Sequence, residues 1–292
     1  MKPQPKLSAA FAVLAVLVLA SCATLKETDF ITVQRPAPPP STPFTFDAAK
    51  EGTPTDITIG VLAASYKTGL GLAGSLSERS AALSTDLQNA LSRDVESMLV
   101  AKGFRVPGQF ASLDQMTFPQ KDKTTMVLVP TISLSVVTQP GITSLIYWRS
   151  NRPSGPPKTE PMKIFRGKVM LGGDKYEESG QFTLRGSIDL QLLEPLTGQL
   201  LWTKGVPVSE SSKGWTRYYW NEGFTDNKGN VVCTEEHPVP GYDERDAALT
   251  TLLADAYRAT LTQLSKYLSR EEIVHLNADA TKLKDRWRAS GK

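Results

Sequence analysis

Apolar residues along this 292-residue chain follow two different periods, and the switch between them marks out the elements. Ile57 to Ala63 is a short apolar run that predicts a strand, followed by a Gly-rich stretch. From about Ser80 to Lys102, Leu83, Leu87, Leu91, Val95 and Met98 recur at steps of three and four, which puts them on one face of a helix. Gly103 stands where a C-cap glycine belongs, because glycine accepts the left-handed conformation that closes many helices. Phe104 to Val106 opens another strand. Met126 to Val137 is rich in β-branched residues, and Pro130 marks it as an edge strand or a bulged one, since proline cannot donate to a ladder.

Phe182 to Leu192 carries the clearest strand pattern. Phe182, Leu184, Ile188, Leu190 and Leu192 face one side, while Thr183, Arg185, Ser187, Asp189 and Gln191 face the other. Glu194-Pro195-Leu196-Thr197-Gly198 reads as a turn, and Leu200 to Lys204 returns as a hairpin partner. A long helix is predicted from about Glu244 to Leu268, with Leu249, Leu252, Leu253, Ala256, Leu261, Leu264 and Leu268 as its stripe. Ser269 and Glu272 have the spacing of a capping box for a second helix, which carries Ile273, Leu276, Ala280, Leu283 and Trp287. Such a stripe packs on a sheet or pairs with another helix, so these C-terminal helices serve the core or, as the sharper reading, a homodimer. Strands in the middle and helices at both ends predict an α+β fold: a mostly antiparallel sheet with long helices packed on one face and a helical hairpin at the C-terminus.

The N-terminus has a different pattern. Lys2 and Lys6 precede an apolar run from Leu7 to Ala20. The run is too short to span a bilayer, which takes about 20 apolar residues, and the layout is that of a secretory signal peptide. It ends Leu19-Ala20-Ser21-Cys22, which resembles the lipobox of bacterial lipoproteins. That resemblance implies cleavage before Cys22, a diacylglycerol thioether on its sulfur and an acyl chain on the new amino group. Leu19, Ala20 and Ser21 would then be the signal-peptidase recognition residues. In Gram-negative lipoproteins an Asp after the Cys retains the protein in the inner membrane. Here the position is Ala23, so the resemblance implies a lipid-anchored protein of the outer membrane, on either face. Pro36, Pro38, Pro39, Pro40, Pro43 and Pro54 then make residues 22–56 a semi-rigid tether. The expected organisation is a signal peptide at 1–21, a lipidated tether at 22–56 and a single α+β domain at 57–292.

Composition removes several function classes. The chain has 33 basic and 30 acidic residues. Loss of Lys2 and Lys6 with the signal peptide leaves 31 against 30, a net charge of +1. Nucleic-acid binding needs a local excess of Lys and Arg, so no nucleic-acid partner is expected. Two cysteines cannot build a disulfide framework, and with Cys22 lipidated Cys233 reads as a buried small hydrophobe. Two histidines beside one free cysteine argue against a zinc site, and no metal or further cofactor is expected.

Three segments resemble the neuraminyllactose-binding hemagglutinin family, outer-membrane lipoproteins of Helicobacter described as adhesins. They are Asp94 to Val106, with its helix end before Gly103-Phe104; Leu193-Glu194-Pro195-Leu196-Thr197-Gly198; and the tail from Asp246 through Tyr267-Leu268-Ser269 to Lys284 and Arg286. Their order and spacing agree with the family, and together they cover roughly a third of the mature chain. The resemblance implies an adhesin that binds a glycan or a protein partner. The family's sialic-acid segment, K-R-T-I-Q-K-K, has no counterpart. The stretch from 138 to 168 instead spreads Arg149, Arg152, Lys158, Lys163, Arg166 and Lys168 among prolines, so no sialic-acid contact carries over. The same layout also resembles, more loosely, periplasmic assembly lipoproteins such as penicillin-binding-protein activators and curli-secretion components. That resemblance implies an accessory that scaffolds or activates an envelope machine.

No catalytic constellation emerges. Gly69, Gly71 and Gly74 spell a dinucleotide fingerprint, but the following helix begins too late to present its amides to a pyrophosphate. No G-x-S-x-G elbow is present. His237 and His275 have no nucleophile placed beside them by a motif. The acidic pairs Glu177-Glu178, Glu235-Glu236 and Glu271-Glu272 are expected to be solvated, because adjacent side chains point apart. The most unusual composition is Trp215-Thr216-Arg217-Tyr218-Tyr219-Trp220. Trp215, Tyr218, Tyr219 and Trp220 are the candidate ligand contacts, since flat rings beside Arg stack on sugars or anchor a partner. The alternative is a hairpin turning at Asn227-Lys228-Gly229-Asn230 whose alternate rings complete the core. A second candidate is the apolar loop around Leu145-Ile146-Tyr147-Trp148.

Overall fold

A computed structural model of the chain describes residues 30–32, 44–50, 52–68, 77–147, 163–165, 168–170, 175–225 and 231–290. The first half contains β1 (Phe30–Thr32), β2 (Ile59–Leu62), β3 (Ser65–Thr68), α1 (Ser77–Ala101), β4 (Gln109–Phe110) and α2 (Phe118–Lys123), with a 3-10 turn at Leu113–Gln115. It continues through β5 (Met126–Tyr147), β6 (Lys163–Phe165) and β7 (Lys168–Met170). The remainder is β8 (Lys175–Leu193), β9 (Leu200–Thr225), β10 (Val231–Asp243), α3 (Arg245–Tyr267) and α4 (Arg270–Ala289). The fold is α+β with two long C-terminal helices, as the periodicity predicts. The larger sheet runs β10-β9-β8-β5-β2-β4, with β3 also on β5; a smaller one runs β1-β7-β6. The larger sheet is mixed: β2 is parallel to β4 and β5, β3 is parallel to β5, and β9 and β10 are antiparallel.

The chain divides into two compact units. One contains the described parts of 1–37, 141–179 and 216–244; the other contains those of 38–140, 180–215 and 245–292. The second unit holds the main core. Leu83, Leu91 and Val95 of α1, Leu249, Leu261 and Leu264 of α3, and Phe182, Leu184 and Leu190 of β8 are all fully buried there. Even-numbered residues of β5 from Met126 to Val136 face this core, whereas Val127 joins Leu62 and Met116 in a small cluster with Leu113. The period of two therefore sends long helices to one face and the 3-10 turn to the other. Among the described residues, no helix is long and apolar enough to cross a membrane.

Three differences from the sequence expectation have local causes. The strand foreseen at Phe104–Val106 is only a bridge from Arg105 to Thr58, and the pairing with β2 is completed at Gln109–Phe110. Pro130 does not put β5 at an edge, since β8 lies on one side and β2 and β3 on the other. Register with β2 ends at Leu128 and register with β3 begins at Thr131, so the proline falls where one partner hands over to the next. The capping box is half formed. Ser269 Oγ accepts the Glu272 amide at 3.3 Å, but the Glu272 carboxylate accepts the Trp202 indole N–H at 2.8 Å instead of turning back to its own helix start.

Two glycines are required by geometry. Gly103 closes α1 with φ 89°, and a Cβ there would lie 2.1 Å from the Thr53 carbonyl oxygen. Gly186 on β8 has φ 151°, and a Cβ would lie 2.0 Å from the Ser133 carbonyl oxygen. Only glycine allows that conformation together with that approach. Within the Pro-rich segment, Phe44 is buried against Tyr257 and accepts from Arg93 Nη2 at 3.2 Å, while Thr55 donates its amide to Gly103 at 2.8 Å.

Candidate functional site

In the first unit, β8 and β9 alternate polar and aromatic side chains, so each strand sends one set to each face. On one face the Tyr219 ring stacks on Tyr176 with centroids 5.3 Å apart and planes 17° apart. The Arg217 guanidinium lies 4.7 Å from the Tyr219 centroid and pairs with Glu178. Both members of that pair are largely withdrawn from solvent, at 13% and 18% side-chain exposure, so Glu178 is not the solvated carboxylate its sequence context suggests. The low local dielectric and the stacked ring hold the guanidinium in one orientation.

The other face carries Tyr218, half-buried, with its ring edge-on to Tyr242 at 6.5 Å and 89°. Its hydroxyl is hydrogen-bonded to Glu177; burial, and then this carboxylate, raise its pKa well above the usual phenol value. Glu244 Oε2 accepts the Thr216 amide at 2.9 Å, and the Glu244 amide in turn donates to the Thr216 carbonyl at 2.9 Å, which fixes the backbone behind the tyrosine. The neighbours Glu177 and Glu178 thus point apart and do different work, one on each face.

The structure separates the four aromatic candidates. Trp215 belongs to the second unit, is 4% exposed and packs on Phe182 at 5.8 Å. Tyr219 is buried in the stack with Tyr176, and Tyr218 is half-buried. The Trp220 side chain lies outside the described residues; its backbone pairs with His237 in the β9–β10 hairpin. The hairpin register runs from Val231↔Thr225, so the predicted turn falls between the strands, outside the described residues. Cys22, Leu19, Ala20, Ser21, the Gly69–Gly74 motif, the side chains of Leu145 to Trp148, and that of Cys233 also lie outside them.

No family model matches the chain, and no curated protein matches it. Among solved structures it is similar to a neuraminyllactose-binding hemagglutinin homolog from Helicobacter pylori. The identity is 14% and the TM-score 0.49, over 82% of this chain and 96% of that one. The relation is a distant structural one.

The second unit contains polar groups that sequence reasoning missed. Tyr257 donates to Asp94 Oδ2 at 2.7 Å, and Arg93 Nε holds Oδ1 at 2.8 Å. This bond is the main reason the Arg93 pKa is raised. Glu194, fully buried, folds the predicted turn around itself: its carboxylate accepts the Leu196 amide at 3.1 Å, the Thr197 amide at 2.7 Å and the Thr197 hydroxyl at 2.7 Å. Lys284 donates to the carbonyls of Asp122 at 2.7 Å and Thr124 at 2.9 Å, and burial lowers its pKa. Each of these groups is occupied in holding elements together. Among the described residues, no cluster of three His, Cys, Asp or Glu side chains could hold a metal ion. His275 is exposed on α4, away from any nucleophile placed by the motifs above.

Proposed function

We propose that the protein is a lipid-anchored lipoprotein of the outer membrane, of the hemagglutinin-like adhesin class, that binds a glycan without transforming it. The anchor is read from the sequence: a basic start, an apolar run and Leu19-Ala20-Ser21-Cys22. One observation supports the glycan: Tyr218, half-buried, stands beside the Glu177 carboxylate, with Tyr242 bracing its ring edge-on. A flat ring stacks on the apolar face of a sugar while a neighbouring carboxylate accepts its hydroxyls. Two carboxylates near this face, Glu177 and Glu244, disfavour an acidic sugar, so the ligand class is a neutral saccharide. This agrees with the missing basic segment.

A glycan array probed with the wild-type chain and with Tyr218→Ala tests the reading. Binding to neutral glycans that the substitution abolishes is the expected result. Equal binding by both proteins, or wild-type preference for sialylated glycans, would overturn it.

A further inference from the structure

In the second unit, the end of α1, the end of α3 and the start of α4 enclose a pocket of about 270 Å³. Its lining is Lys102, Ser265, Lys266, Ser269, Arg270 and Glu271. Water occupies about 30 Å³ per molecule in the liquid, so the space admits a tetrahedral oxyanion with water around it. Three cations face it from three elements. Lys102 is only 5% exposed, an unusual burial for a lysine. Lys266 is exposed at the rim and makes no ion pair among the described residues. Arg270 uses Nη2 on the Thr53 carbonyl and hydroxyl at 3.3 Å, yet its Nε is buried without a hydrogen-bond partner. A buried donor left unmet costs free energy unless something in the pocket accepts from it.

Glu271 is the one resident anion. Its carboxylate accepts from its own amide and from Ser269 Oγ, the latter at 3.0 Å, and both bonds lower its pKa, with Arg270 and Lys102 adding to the effect. The lining carries three cationic side chains and one carboxylate, a positive excess that suits a phosphate monoester, which carries about −1.5 to −2 near neutral pH.

We infer that the pocket formed by Lys102, Lys266 and Arg270 binds a phosphoryl group, with Glu271 as its built-in competitor. The group comes from a soluble phosphate or from the phosphomonoester headgroup of a lipid.

Calorimetric titration of the detergent-solubilised full chain with inorganic phosphate tests this. Lys266→Ala and Arg270→Gln each weaken binding by about tenfold or more, the loss of one charge-assisted bond. Glu271→Gln does the opposite and tightens binding, an effect that general damage to the fold cannot mimic. Micelles doped with phosphatidic acid, against phosphatidylcholine as control, separate the sources. Displacement of phosphate by the doped micelles assigns the headgroup, and no displacement assigns the soluble ion. Absence of phosphate binding at millimolar concentration, or binding indifferent to all three substitutions, overturns the inference.

Discussion

The hydroxyl of Tyr257 on α3 donates a 2.7 Å hydrogen bond to the carboxylate of Asp94 on α1, and both residues are at most 3% exposed. Arg93 holds the other carboxylate oxygen and also reaches the Phe44 carbonyl, so one buried acid ties two helices and the entering chain together. Tyr257→Phe removes one acceptor's partner without leaving a void. Chemical denaturation should show a loss of about 1–3 kcal/mol, the usual cost of stranding a buried polar atom.

The same bond predicts a pH dependence. Burial, and then the Asp94 carboxylate, raise the Tyr257 pKa far above its ordinary value of 10.0. Burial likewise pushes Tyr66, whose hydroxyl donates to the Ser84 carbonyl at 3.1 Å, up to about 12. Above pH 10 the unfolded chain releases these protons while the folded chain keeps them, so stability is full below pH 10 and falls as pH rises through the window to about 12. Denaturation curves of the wild type and Tyr257→Phe measured from pH 8 to 12 should converge at the alkaline end. Parallel curves would refute the raised Tyr257 pKa.

Glu194 makes a comparable prediction for the turn after β8. Its carboxylate is the acceptor for two amides and a hydroxyl, and Lys284 lies close enough for its pKa to respond to that charge. Glu194→Ala strands buried donors and leaves Lys284 with less compensation, so a loss of about 3 kcal/mol is expected in thermal or chemical unfolding. Glu194→Gln keeps an acceptor oxygen and should lose less.

What was legible in the sequence follows from how each signal arises. The period of two in β8 and the steps of three and four in α1 and α3 are imposed by a single buried face, so they appear in the order of residues alone. Pairing is not imposed that way. Nothing local tells Pro130 that β5 changes partner beside it, and so an interior strand carries the mark of an edge. The buried polar ties are half visible. Asp94 stands three residues after Leu91 and four before Met98, inside the apolar stripe of α1, and a charge there demands a partner; which one, 163 positions away, only the fold reveals. The aromatic run was legible as unusual, but the fate of each ring depends on its neighbours on β8, where Gly180 makes room for Trp215 and Tyr176 receives Tyr219.

Trp215 and Tyr218 should therefore behave oppositely when truncated. A Cβ on Gly180 would lie 2.3 Å from the Trp215 ring, which shows how closely that indole is seated beside Phe182. Trp215→Ala should lose about 3–5 kcal/mol of stability, the cost of removing a large buried ring. Tyr218→Ala, at a half-buried position, should leave the melting temperature close to that of the wild type. A large stability loss for Tyr218→Ala would make Tyr218 a core residue and remove it as a ligand contact.

The anchor can be tested apart from the fold. Each methylene buried in the bilayer contributes about 0.8 kcal/mol, a single chain gives only reversible binding, and stable attachment takes more than one. A diacylglycerol and an N-acyl chain on Cys22 would exceed that threshold, so the mature protein should stay with membranes through high salt and alkaline washing. Cys22→Ser removes the nucleophile that takes the lipid and should both fail to incorporate labelled palmitate and move to the soluble fraction once its signal peptide is cut by an alternative route or removed in the clone. Wild-type protein that takes up no palmitate would exclude acylation at position 22. A serine variant that takes up none yet still sediments with vesicles would place the membrane contact elsewhere in the chain.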